Sequence, residues 1–129
     1  MIEHKLSLSL LKDKFGVCRL DINEAIPSWG TKGEFFSITK TADELSIVCN
    51  EENIPSNIKC EVEWKALKIE GPLDFSLIGI LSKISSLLAK DGISIFAIST
   101  YDTDYILVKE SHIENAISVL LRNEYDVIK

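Results

Sequence analysis

Between Phe75 and Lys90 the apolar residues Leu77, Ile80, Leu81, Ile84, Leu87 and Leu88 recur at spacings of three and four. That period lines them along one face of a helix, and such a face needs another surface to cover it. Asp74 or Ser76 can cap the start, and Gly92, after Lys90 and Asp91, can end the helix in the left-handed conformation. The flanking segments supply the covering surface. Trp64 to Ile69 holds Leu67 and Ile69 in one phase and reads as a strand, followed by the loop Glu70-Gly71-Pro72-Leu73-Asp74. Ile93 to Ser99, rich in β-branched and aromatic residues, reads as a second strand. A turn at Thr100-Tyr101-Asp102-Thr103 leads into a third, Tyr105 to Val108. Ser111 and Glu114 form a capping-box pattern ahead of a helix that buries Ile113, Ala116, Ile117, Leu120 and Leu121, and Tyr125 to Ile128 closes as a strand. The order βαββαβ predicts an α+β fold, an antiparallel sheet with its helices on one face.

The first half carries the same signals with less helix. Leu6, Leu8 and Leu10 alternate with serines as in a half-buried strand, and Phe15 to Leu20 reads as another. Asn23 to Gly30 contains Pro27, Trp29 and Gly30 and has room for a short helix at most. Phe35 to Thr39 and Leu45 to Cys49 read as two strands around a turn at Lys40 to Glu44. Asn53 to Lys59, with Pro55 and two asparagines, reads as a linker. Ile38 to Val48 aligns without a gap on Ile98 to Val108, each a strand, a polar turn, an acidic residue and a strand. The spacing is about that of one βαββαβ unit, which points to duplication. The predicted architecture is two ferredoxin-like units, the first degenerate, divided into residues 1–60 and 61–129.

Composition narrows the function. The 129 residues are 46% hydrophobic, too aliphatic for a disordered chain, and hold no run of about 18 apolar residues to span a membrane. Met1 to Lys5 opens directly into the alternating pattern without signal-peptide architecture, so a cytoplasmic location is expected. A net charge of −6 disfavours nucleic acid and anionic membranes as partners. The strands that an RNA-binding module of this topology would expose carry Ile95, Ala97 and Leu107. Cys18, Cys49 and Cys60 lack a C-x-x-C pair and sit in apolar runs, as reduced core thiols do. With only His4 and His112 beside them, no metal site is expected. No Ser-His-Asp, Cys-His or phosphate-cradling pattern is present, so neither an enzyme nor a cofactor is expected.

The stretch Lys68 to Leu81, with Gly71, Pro72, Leu73 and Asp74 at its centre, followed by Ile93 to Val108, resembles an ACT domain. It is similar in particular to the small bacterial proteins with paired ACT domains related to the CASTOR arginine sensors. Phe36 to Thr41 with Asp43 to Val48 resembles the degenerate first domain of that group. The resemblance implies a non-catalytic regulatory module that binds a free amino acid at an ACT–ACT interface, forms a homodimer and acts on a regulated enzyme or transcription factor. It places the ligand on the glycine-bearing loop and helix start, Asp74, Phe75, Ser76, Leu77, Ile78 and Gly79, and on the segment Thr100, Tyr101, Asp102 and Asp104. Asp104 matches the acidic position that faces the ligand side chain in the arginine sensor. Here Tyr105-Ile106 follows it, so arginine itself is not implied.

These residue types suit an amino acid. A helix beginning near Phe75 offers unpaired backbone N–H groups and a positive dipole end to a carboxylate. Gly79, one turn in, would leave the helix surface bare for close approach. Loop carbonyls or Asp74 could accept from the ammonium group, and Asp104 could select a cationic or polar side chain. Asp74 could equally be a cap alone, and Asp102 and Asp104 simple turn residues. An interaction or dimerisation module with no remaining ligand site is therefore the alternative reading.

Overall fold

The computed structural model describes residues 6–70 and 79–129. The elements are β1 (Ser7–Leu10), β2 (Phe15–Leu20), β3 (Ser37–Lys40), β4 (Leu45–Asn50), β5 (Cys60–Ile69), α1 (Ile80–Lys90), β6 (Phe96–Ser99), β7 (Asp104–Lys109), α2 (Glu110–Arg122) and β8 (Asp126–Ile128). They gather into two units, one from Asp13 to Trp64 and the other from the residues up to Lys12 together with Lys65–Lys129.

In the Asp13–Trp64 unit the strands lie in the order β3-β4-β2-β5, each neighbouring pair antiparallel. Taken along the chain this is the ferredoxin-like order, but 3-10 turns at Ser28–Thr31 and Glu51–Asn53 stand where the helices would be. Pro27 and Gly30 interrupt the first segment, as expected of a stretch too short to nucleate a helix. Trp29 therefore covers the sheet in place of a helix, packing on a core of Cys18, Leu20, Leu45, Ile47 and Cys49. The Asn53–Lys59 stretch, expected to be a linker, is part of this unit, because Ile54 and Ile58 pack on the same core. The β2–β5 register shifts between Phe15↔Trp64 and Val17↔Glu61, leaving one extra residue in β5. Glu63 sits in this bulge with φ of 67°, and its N–H donates to the Glu51 carboxylate at 2.8 Å.

The second unit has the strand order β6-β7-β5-β1-β8. Here β1 runs antiparallel to β5, with Leu8 opposite Ile69, and parallel to β8, with Leu8 opposite Val127. It thus lies between what would be the first and fourth strands of this repeat. The expected boundary between residues 60 and 61 differs from the observed units for this reason: Leu8 is fully buried in the second core, so the first strand leaves the repeat it precedes. That core joins Leu8, Leu67, Ile69, Ile106 and Val108 of the strands to Ile84 and Leu88 of α1 and Ile113, Ala116, Ile117 and Leu120 of α2. Both helices therefore cover one face, and each fully buried Leu or Ile contributes about 1.5–3 kcal/mol.

Helix ends and faces refine the expectations. Gly92 has φ of 73°, and the Ile93 N–H reaches back to the Leu88 carbonyl at 3.0 Å, the expected left-handed stop. Residues 93–95 follow this turn outside the ladder, so β6 is shorter than the expected Ile93–Ser99 strand. The capping box at Ser111 does not form. β7 stays paired and extended to Lys109, so α2 starts at Glu110 and Ser111 lies inside its first turn. Leu121 is half exposed rather than buried, and Val119 is buried instead.

Candidate functional site

Asp104 opens β7 directly opposite Ser99, and the β6–β7 ladder runs without a register break. Alternation along β7 therefore puts the Asp104 side chain on the face of Ile106 and Val108, the face both helices cover. The residue is half-buried. Its carboxylate stands at the rim of a covered sheet face instead of on the turn itself.

The turn before it is closed by threonines. The Thr100 N–H donates to the Thr103 carbonyl at 2.8 Å, and the Thr100 hydroxyl donates to the same oxygen at 3.0 Å. Thr103 is 5% exposed, and its hydroxyl donates to the Ile69 carbonyl at 2.5 Å. The hairpin turn is thereby tied to the last residue of β5, and Tyr101 and Asp102 are left at an exposed tip. Thr103 was not among the expected site residues. The only signal for it was a second threonine three places after Thr100, a spacing that lets the first hydroxyl close the turn.

An equivalent turn in the first unit corrects the internal repeat. The Thr41 N–H donates to the Glu44 carbonyl at 2.9 Å, and its hydroxyl accepts from the N–H groups of Asp43 and Glu44. Lys40 faces Leu45 there as Ser99 faces Asp104 here. The structural match is Thr41 with Thr100 and Leu45 with Asp104, one residue away from the gapless alignment of Ile38 with Ile98. A slip of one residue would turn every strand side chain to the other face. The corrected match puts Ile47 with Ile106 and Cys49 with Val108, all core residues.

Chain direction places the start of α1 at this same end of the unit. The turn that follows β6 is tied to Ile69 through Thr103, and β6 begins at the opposite end, where residues 91–95 join it to the end of α1. The first N–H groups of α1, from Ile80 to Ser82, therefore point out of the sheet end that carries Asp104. Gly79 is not inside the helix as expected. It is the N-cap, with φ of 81° and ψ of 12°. Among the described residues a Cβ built there meets nothing within 4 Å, and the left-handed backbone is what calls for glycine. Of the expected ligand residues, Thr100, Tyr101, Asp102 and Asp104 share one hairpin, and Gly79 lies at the same end; Asp74, Phe75, Ser76, Leu77 and Ile78 fall outside the described residues. Glu70 accepts a hydrogen bond from the Ser9 hydroxyl, but register places that pair on the face away from the helices and from Asp104.

A groove of about 580 Å³ runs along Ser85, Ser86, Ala89, Gly92, Ile93 and Ser94. It lies toward the other end of α1 and contains none of the expected ligand residues. Among the described residues, no three His, Cys, Asp or Glu side chains come together in a way that could hold a metal ion. No helix among them is long and apolar enough to cross a membrane.

The family profile of the ACT domain matches residues 59–122, and a profile described as an N-terminal domain matches residues 13–57. The human protein named cytosolic arginine sensor for mTORC1 subunit 1 is 34% identical over 98 residues, which cover 70% of this chain and 30% of that protein. The chain spans about a third of the length of the curated arginine-sensor relatives it matches. A crystal structure of an Agrobacterium tumefaciens protein is 36% identical, with a TM-score of 0.91 over 98% of this chain and 94% of that one. The regulatory subunit of aspartate kinase from Thermus flavus superposes with a TM-score of 0.63 at 10% identity, over 89% of this chain and 95% of that one, a likeness of fold.

Proposed function

This chain belongs to the ACT-domain family, and from that premise we propose that it is a non-catalytic regulatory module that binds a free amino acid at the Asp104 end of its second unit. The observation that carries the reading is the exchange of Leu45 for Asp104. At the same place in the first hairpin stands a buried leucine, 2% exposed, on the covered face. A carboxylate at that position gives up hydrophobic contact, which favours a role in meeting a cationic or polar ligand side chain. The outward N–H groups at the start of α1 suit the ligand carboxylate. The name of one relative, an arginine sensor, supports the same class of ligand.

The module acts as a homodimer. β6 is an edge strand of its unit, and beside it α1 exposes Ser82, Ser86 and Ala89. Small side chains there let a second helix come close while the edge of β6 pairs with its copy. The same groove also supports the second reading, a dimerisation module without a ligand. A thermal-shift screen of the 20 amino acids separates the two. A bound amino acid at 100 times its Kd stabilises by about 2.7 kcal/mol, a shift of several degrees for a unit this size. A dimer whose melting temperature no amino acid moves contradicts the sensor reading. Its regulated partner, an enzyme or a transcription factor, would be recovered by comparing captures with and without the stabilising amino acid.

A further inference from the structure

Cys18 and Cys60 face one another across the β2–β5 ladder. The next pair along, Arg19 and Lys59, is hydrogen-bonded, with the Arg19 N–H donating to the Lys59 carbonyl at 3.0 Å. Hydrogen-bonded and non-hydrogen-bonded pairs alternate in an antiparallel ladder, so Cys18 and Cys60 form the second kind, with α-carbons about 4.5 Å apart. That falls within the separation of about 4.4–6.8 Å that a disulfide bridges. Cys18 lies in the core of this unit and Cys60 packs against it. Cys18 and Cys49 are buried, whereas Cys60 is partly exposed, and all three are free thiols. Cys49 is diagonal to Cys18, since its own partner on β2 is Gly16. Cys18 and Cys60 also line, with Val17, Arg19, Ser46 and Lys59, a hollow of about 150 Å³.

We propose that Cys18 and Cys60 are an oxidisable dithiol, a modification site that a hydroperoxide converts into a cross-strand disulfide within the Asp13–Trp64 unit. The inference stands apart from the amino-acid reading, which concerns the other unit. Cys60, the accessible sulfur, attacks the peroxide; the O–O bond breaks, Cys60 becomes a sulfenic acid and the peroxide leaves as water or alcohol. The Cys18 sulfur then attacks the Cys60 sulfur. The S–S bond forms, the S–O bond breaks, and the departing hydroxide takes up the Cys18 proton as water. Two thiols and one hydrogen peroxide give one disulfide and two waters. The hydrogen bond between Cys18 and Cys49, with burial, pushes the Cys18 thiol above its ordinary range, and the same hydrogen bond lowers Cys49. Cys49 is not one of the two sulfurs that the β2–β5 ladder sets opposite one another.

The test exposes the reduced full chain to hydrogen peroxide, alkylates free thiols after unfolding, and maps unreduced peptides by mass spectrometry. The expected product is a Cys18–Cys60 linked pair, lighter by two hydrogens and restored by dithiothreitol, with Cys49 alkylated. Cys49→Ala still forms the Cys18–Cys60 link, because Cys49 contributes neither of its sulfurs. Cys60→Ser, at the partly exposed position, keeps the circular dichroism of the parent and leaves Cys18 a free thiol after peroxide. A Cys18–Cys49 link, dimers joined through Cys60, Cys60 halted as an acid beside a free Cys18, or three untouched thiols in the parent chain would each overturn the proposal. The parent map decides the matter even where a variant fails to fold.

Discussion

Leu45 and Asp104 occupy the same place in two equivalent hairpins: each opens the returning strand, opposite Lys40 and Ser99 respectively, and each faces the covered side of its sheet. The first unit uses the position for packing and the second holds a carboxylate there. This exchange adds to the loss of both helices in setting the degenerate repeat apart from the one that carries the candidate site.

Asp104→Leu restores the packing solution. A half-buried leucine on the covered face should raise the unfolding free energy by about 1 kcal/mol in urea denaturation, less than the full burial of a leucine provides. The same variant should lose the stabilisation that a cationic or polar amino acid gives the parent. A destabilised Asp104→Leu would mean that the side chain does not face the covered side.

Thr103 is the pin of the hairpin. Thr103→Val keeps the shape but removes the hydroxyl, so the Ile69 carbonyl loses its donor at a buried position. An unsatisfied buried acceptor costs about 1–3 kcal/mol, and chemical denaturation should show a loss in that range. Thr103→Ser, which keeps the donor, should lose clearly less. Equal losses in the two variants would show that the methyl group, not the hydrogen bond, holds the turn.

Gly79 distinguishes a backbone requirement from a spatial one. With φ of 81° and no described residue within 4 Å of a built Cβ, Gly79→Ala should cost about 1–2 kcal/mol through the left-handed conformation. Gly79→Asn should cost less, since asparagine tolerates that region better, despite its greater bulk. If asparagine proves worse than alanine in a melting comparison, bulk is the limit and the conformational account is wrong.

The second repeat was legible in the sequence because its signals are local. The three-and-four spacing of Ile80, Ile84, Leu87 and Leu88, the stop at Gly92 and the alternation of Ile106 with Val108 each act within a few residues. The place of β1 was not legible. Its alternating Leu8 and Leu10 predict a strand, but nothing local says that Leu8 pairs with Ile69 and Val127. The Ser111 capping box misled for a related reason, since sheet pairing carried β7 to Lys109 and fixed the helix start. At the candidate site, Asp104 and the hairpin tip were legible as a polar turn. Thr103 was not, because its role depends on the distant Ile69 carbonyl. The one-residue error in the repeat arose because similarity of residue types does not reveal which side chains face inward, whereas the threonine turns do.

Nuclear magnetic resonance titration of the labelled full chain with the amino acid that most raises its melting temperature tests the central claim most directly. Backbone amide shifts should move at Gly79, Ile80 and Thr100 to Asp104, saturate together, and vanish in Asp104→Leu. Shifts confined to Ser85 through Ile95 or to residues 13–64, or an unchanged spectrum at saturating concentrations of every amino acid, would contradict it.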